Sequence, residues 1–178
     1  MSDIQIRPAG SSDYAGIFDL IEAAFRDDPH SDQSEQDLVS RLRQSETFIP
    51  ELSLLAERHG QLAGYILLTH IRIRDSADRE YPTLALAPVA VHPNMQGEGI
   101  GSELIQFAHR RALELGHSSV VLIGHEHYYP RFGYQRADRY GITFPFDIPA
   151  ENGFAVELIP DSLANVSGEV VYPKAFFG

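Results

Sequence analysis

The chain has 178 residues, 43% hydrophobic and 22% charged, with no cysteine. That is ordinary globular composition, long enough to bury a core without a disulfide or metal staple, and it excludes disulfide frameworks, cysteine-bound metals and thiol nucleophiles. Fourteen Lys and Arg against 25 Asp and Glu leave a formal net charge of −11, which repels nucleic-acid phosphates and anionic lipid and favours a neutral or cationic partner.

Met1 to Arg7 show no basic stretch leading into an apolar one, and no apolar run reaches the roughly 18 residues a bilayer span needs. The expectation is a cytoplasmic protein with neither a membrane nor a nucleic-acid partner. Asn165-Val166-Ser167 fits a glycosylation sequon, which outside a secretory context is a chance match.

Ile4, Ile6 and Pro8 alternate with polar residues and predict a first strand. Ser11-Ser12-Asp13 reads as a helix N-cap cluster. Ile17, Phe18, Leu20, Ile21, Ala24 and Phe25 then recur at helical spacing until Asp27-Asp28-Pro29 stops them. A second, surface helix starts near Ser31 or Ser34 and runs through Leu38, Val39 and Leu42. Two apolar runs, Leu52 to Glu57 and Gln61 to His70, flank Arg58-His59-Gly60 and predict a hairpin. Arg72 to Pro82 is polar and reads as a loop. Thr83 to Val91 is an apolar run broken by Pro88, which removes a ladder donor and argues against a central strand; the alternative is a bulge, where that donor is not needed.

His92 to Gly101 reads as a glycine-rich turn leading into a helix marked by Ile100, Leu104, Ile105, Phe107, Ala108, Ala112 and Leu115, with Gly116 at its C-cap. Ser119 to Ile123 is continuously apolar, as in a strand covered on both faces. Strand, turn, helix and strand make a βαβ unit, so the two strands are parallel neighbours. His125 to Tyr134 forms one or two helical turns. Gly141 to Ile148 and Phe154 to Ile159 read as strands joined by a Pro149–Gly153 turn, and Glu169 to Tyr172 as a last short strand. The expected architecture is one α/β domain with a mixed sheet.

Gln96-Gly97-Glu98-Gly99-Ile100-Gly101-Ser102 is the most informative stretch. Glycines at a helix start let backbone N–H groups and the positive end of the helix dipole converge on an anion. A Walker A loop needs a lysine that is absent here. A dinucleotide fingerprint would have Ser102 in place of its third glycine, and no ribose-binding acid follows on the strand ending at Ile123. The bland alternative is a glycine-rich turn with no ligand.

Val89-Ala90-Val91-His92-Pro93 followed by Gln96-x-x-Gly99-x-Gly101 resembles the coenzyme signature of the GNAT superfamily of N-acyltransferases. Tyr128-Tyr129-Pro130-Arg131-Phe132-Gly133-Tyr134 resembles that family's aromatic-Tyr-x-x-x-Gly-Phe motif, in matching order and separation. The C-terminal Val166-x-Gly168-x-Val170-x-Tyr172-Pro173-x-Ala175-Phe176, with Ala87-Pro88-Val89-Ala90-Val91, is similar to the YhbS-like branch of bacterial N-acetyltransferases. The likeness spans essentially the whole chain and implies a single domain over 1–178. The implied fold is GNAT, α/β (α+β by some schemes): a mixed central sheet splayed between two parallel strands, with helices on both faces.

The resemblance further implies acetyl-CoA as cosubstrate and no metal. It assigns Val89, Ala90 and Val91 to coenzyme binding, with Val89 and Val91 offering backbone groups to pantetheine and thioester in the splay. It sets Gln96, Gly97, Gly99, Ile100, Gly101 and Ser102 around the pyrophosphate. Tyr129 falls on the tyrosine that protonates the leaving thiolate; motif register favours it over Tyr128, though the reverse arrangement stays open. A phenol of pKa about 10 matches a thiol of about 8.5 well enough for that task.

The amine's base is not fixed by the sequence, because Thr83 to Val91 has no ionisable side chain. Candidates are His92, at the strand's end, then Glu22, His70, Glu80, His125 and Glu126, or a water chain. His125-x-His127 with Glu126 lacks a third ligand pattern and reads as a polar loop, not a metal site. Phe144, Phe146 and Phe154 read as core and acceptor-pocket wall. The expected function is N-acetylation of a primary amine of a small molecule or peptide, with a homodimer among the assemblies left open. A silent coenzyme-binding module and a tRNA-acetylating toxin are the alternatives, the second disfavoured by the charge.

Overall fold

The computed structural model describes residues 2–178. Among them, nine strands form one sheet and three α-helices of nine residues or more cover it. The strands are β1 (Ile4–Pro8), β2 (Ser53–Arg58), β3 (Gln61–Arg74), β4 (Glu80–Val91), β5 (Ser119–Ile123), β6 (Gln135–Arg136), β7 (Ile142–Thr143), β8 (Gly153–Glu157) and β9 (Gly168–Val171). The helices are α1 (Tyr14–Phe25), α2 (Glu35–Arg43) and α3 (Ile100–Glu114). The sheet order is β1-β2-β3-β4-β5-β8-β6, with β9 added to the far end of β3 and β7 to β9.

Alternation assigns the two faces. Ile66 and Leu68 of β3, Leu84 and Leu86 of β4 and Val120 and Leu122 of β5 pack under α3 with Ile100, Leu104, Ile105 and Ala108. Each such fully buried Leu or Ile contributes roughly 1.5–3 kcal/mol. Tyr65 and Leu67 of β3 face Ile17, Ile21, Val39 and Leu42 of α1 and α2. Ile71, Ile73, Ala85 and Val121 continue that second face beneath β7–β9. The turn between β2 and β3 fits the hairpin expectation: His59 and Gly60 both have positive φ, the backbone whose twist matches paired strands.

Ala87-Pro88 forms the bulge that the proline left as the alternative. Across it, Ile66 pairs with Val89 and Leu68 with Leu86, so β4 carries one extra residue. The extra residue flips the alternation. Leu84 and Leu86 point to α3 before it, Val89 and Val91 after it, while Ala90 turns to α1 and α2. The parallel partner β5 pairs with β4 only at Leu84–Val120 and Ala85–Val121. From Leu86 onward the two strands part, as a splayed sheet requires.

Three local expectations are corrected. Arg72 to Pro82 is mostly strand: β3 runs to Arg74, β4 starts at Glu80, and only 75–79 form the loop. Cross-strand pairs of Glu80 with Arg72 (3.3 Å) and Arg74 (3.2 Å) make the polar face, while Ile71 and Ile73 bury the other. The Gly141–Ile148 strand shrinks to Ile142–Thr143, which pairs parallel with β9 and does not touch β8. Ser11–Asp13 is a short 3-10 turn leading into α1, and Asp13 Oδ2 accepts from the Gly10 N–H.

No helix among the described residues is long and apolar enough to cross a membrane. No group of three His, Asp or Glu among them is placed to hold a metal ion.

Candidate active site

The splay opens into a cleft of about 1210 Å³, lined by the α1–α2 loop, Leu86 to Val91, the start of α3 and the segment after β5. Its first wall is the outer edge of β4. The His92 N–H donates to Ala63 O on β3, whereas Val91 O faces the other way and accepts from Gln96 Nε2 at 3.3 Å. Alternation therefore turns the backbone groups of Val89 and Val91 toward the cleft and those of Ala90 toward β3. Ala90 belongs to the site by position, but its backbone groups are not the ones offered there.

The second wall is the glycine turn. Gly97 and Gly99 have φ of +81° and +86°, and a Cβ on either would meet nothing within 4 Å. Gly99 in this left-handed conformation is the N-cap of α3, whose 15 residues align their dipole on the cleft. Ile100 is buried and offers only its backbone. Ser102 is half-buried and stands beside the Tyr128 hydroxyl. That hydroxyl lies against Gly101, where a Cβ would approach it to 2.8 Å. These observations fit a diphosphate-bearing ligand: open space in front of glycine N–H groups, and no side chain in the way. Arg131 is the one Lys or Arg lining the cleft among the described residues; its guanidinium lies 4.8 Å from the Tyr128 ring centroid.

Tyr129 and Tyr128 both line the cleft but occupy different depths. Tyr129 is 8% exposed and packs edge-on against Tyr128 and Tyr134, with Phe154 beyond. Gly124 is what admits it, since a Cβ there would overlap the Tyr129 ring. Burial pushes the Tyr129 phenol well above its ordinary value, so it is a protonated donor. Tyr128 is half-buried at the mouth of α3. Burial raises it too, opposed by the neighbouring Ser102 hydroxyl and the Arg131 charge.

Of the candidate bases, only His125 lines the cleft, with its ring 5.6 Å from that of His30 on the α1–α2 loop. Glu80 is paired with Arg72 and Arg74, and Glu22 and Glu126 lie near Arg26 and His127. His70 stacks near His117, away from the cleft. Sequence reading passed over Asp27, Asp28, His30 and Glu35, which line the opposite wall. Asp27-Asp28-Pro29 registered only as a helix stop; its acidity was the available signal.

Behind the tyrosines, His109 Nε2 and Tyr134 Oη are 2.8 Å apart. Burial lowers the His109 imidazole to about 4 from an unfolded value near 6.5. The unfolded chain then binds more protons between those values. Stability conferred by neutral His109 is complete above pH 6.5 and is lost as pH falls to about 4, about 3 kcal/mol in all. Urea titrations of wild type and His109→Gln at pH 7 and pH 4 check this. The wild type is expected to lose more stability than the variant; equal losses would refute it.

The family model for the acetyltransferase (GNAT) domain matches residues 5–137. The uncharacterised N-acetyltransferase YjhQ of Escherichia coli K12 is 38% identical over 119 residues, 66% of this chain and 65% of YjhQ, so the match spans just under two thirds of that relative. The uncharacterised N-acetyltransferase YhbS of the same strain is 27% identical over 92% of this chain and 93% of its own length. The crystal structure of Escherichia coli YhbS in complex with CoA superposes with a TM-score of 0.86, at 27% identity over 98% of this chain and 93% of that one. A GNAT-family acetyltransferase from Brucella melitensis, solved with acetyl-CoA, gives 0.79 at 32% identity over 97% of both chains.

Proposed function

This chain belongs to the GNAT acetyltransferase family and is an acyltransferase, and we propose that its 178 residues act as one domain transferring acetyl from acetyl-CoA to a primary amine of a small molecule or peptide. The carrying observation is the convergence, in one cleft, of a free strand edge, an open glycine turn at a helix start and a buried phenol. The CoA and acetyl-CoA complexes of its structural neighbours support the choice of ligand.

Acetyl-CoA supplies an acyl group already activated as a thioester. The N–H groups of Gly97 to Ser102 bind its pyrophosphate, with Gln96 bracing the turn. Val89 and Val91 pair with the pantetheine as a missing strand would. A β4 N–H takes up the charge that develops on the carbonyl oxygen. His125 receives the amine's proton, directly or through a water. The new N–C bond forms as the C–S bond breaks, and Tyr129 gives its proton to the departing sulfur. Solvent exchange restores both side chains. A model lysine amine, with pKa near 10.4, is mostly protonated at pH 7, so the acidic wall of Asp27, Asp28 and Glu35 draws the ammonium in before His125 deprotonates it.

Initial rates of thiol release, measured with acetyl-CoA and a panel of amines, amino acids, peptides and aminoacyl-tRNA, test the reading. Cationic amines are expected to give the highest kcat/KM, falling as salt rises from 50 to 500 mM. Preference for tRNA would refute the acceptor class. Acetyl-CoA binding with no turnover of any acceptor would instead identify a silent coenzyme-binding module.

A further inference from the structure

We propose that the apolar cavity on the far side of the splay is the acceptor subsite, and that it takes the aryl group of a small monoamine. The inference rests on the acetyl-transfer reading and narrows its substrate class. The cavity measures about 240 Å³ and lies between β4 and β5 on the face opposite α3. Ala85, Ala87, Val121 and Ile123 form its floor, and Leu38 of α2 closes one side.

The opposite side is an aromatic wall contributed by two separate stretches of chain, Phe146 and the C-terminal Tyr172 to Phe177. Phe146 and Tyr172 have ring centroids 5.0 Å apart, Tyr172 and Phe176 4.9 Å, and Phe146 and Phe177 6.0 Å. This wall is held in place: Arg41 Nε donates to Ala175 O at 2.8 Å, tying the last residues onto α2. Yet Phe146 is 40% exposed and Phe177 58%. Packed, anchored aromatic rings that still face open space are the ordinary signature of a ligand surface.

Position identifies the ligand. Leu38, Leu86, Ala87 and Ile123 line both this cavity and the coenzyme cleft, so the two spaces meet at the Ala87-Pro88 bulge where the thioester is expected. A group seated here borders the place where the nitrogen attacks, because the two spaces share those four residues. Size selects a ring, since an apolar cavity of roughly 150 Å³ already accommodates benzene. Among the described residues, Tyr172 is the one lining residue with a polar side-chain atom and none is a carboxylate, so the cavity offers an apolar ring its walls and a second ammonium no ion pair. The small floor residues matter as much as the aromatic wall, because a leucine at Ala85 or Ala87 would occupy the same space.

The test compares kcat/KM for ethylamine, 2-phenylethylamine and spermidine with acetyl-CoA, and for 2-phenylethylamine with hexanoyl-CoA. 2-Phenylethylamine is expected to exceed ethylamine and spermidine at least tenfold. Phe146→Ala and Phe177→Ala, both at exposed positions, should shrink that ratio at least fivefold while calorimetry shows unchanged acetyl-CoA affinity and circular dichroism an unchanged fold. Thiol release with ethylamine or spermidine at rates equal to or above 2-phenylethylamine would overturn the subsite and leave acetyl transfer standing. Hexanoyl-CoA outperforming acetyl-CoA would assign the cavity to the acyl chain and overturn it too. Acetyl-CoA binding without thiol release on any amine would overturn acetyl transfer itself.

Discussion

Tyr129→Phe is expected to lower kcat by 10²- to 10⁴-fold while acetyl-CoA affinity stays within about a factor of two. A positioned acid contributes a rate factor of that size, roughly 3–5 kcal/mol of barrier. The substitution keeps the ring, and the ring is what packs against Tyr134 and Phe154, so the surrounding core stays intact. Only the proton donor goes. Burial holds the phenol protonated and makes it a weaker acid, while the same dry surroundings penalise a departing thiolate that is not neutralised. Loss in kcat with unchanged affinity marks an interaction made in the transition state alone. Tyr128→Phe is the control: it removes a hydroxyl beside Ser102 and Gly101 at the mouth of the cleft and should change kcat little. The opposite ranking of the two variants would move the acid to Tyr128.

Gly99→Val is expected to weaken acetyl-CoA binding at least tenfold, about 1.4 kcal/mol, with the far-ultraviolet circular dichroism spectrum retained. Two effects act together. A Cβ at Gly99 projects into open space on the cleft side, where the pyrophosphate would sit, and φ of +86° strains a β-branched residue. Gly116→Ala separates them. Gly116 has φ of +93° and equally open surroundings, but it follows the C-terminal end of α3. Its variant shares much of the strain and should bind acetyl-CoA as the wild type does. Equal weakening by both substitutions would attribute the loss to α3 strain and remove the turn from the binding site.

The βαβ unit was the most legible part of the sequence because its signals were local. An apolar run broken by proline, a glycine cluster and a helical stripe occur within about 40 residues of each other, and each element is where periodicity set it. Pro88 left two readings, no central strand or a strand with a bulge, and the register shift beside it selects the bulge. The long hairpin of β3 and β4 was underread. Ile71-Arg72-Ile73-Arg74 alternates as a strand should, but its arginines gave the stretch a loop-like composition. Phe144 to Ile148 failed the other way: Phe144, Phe146 and Ile148 alternate as a strand's apolar face would, but Pro145 and Asp147 stand between them and the ladder ends at Thr143. The same limit hid the acidic wall of the cleft. Asp27, His30 and Glu35 come from a loop with no motif, and only the packing of α1 and α2 on β3 and β4 brings them opposite His125. The two tyrosines could be ordered by motif register, but their different depths follow from the glycine at 124, whose missing side chain admits the Tyr129 ring.

The most direct test of the account is the mass balance of one reaction: wild-type protein, acetyl-CoA and the best amine of the panel, followed by thiol titration and mass spectrometry of the acceptor. The account predicts one free CoA thiol for each acetylated amine, with no acetyl group left on the protein. Thiol release without acetylated amine, or an acetylated protein side chain that forms and decays at the rate of turnover, would contradict direct transfer within the cleft.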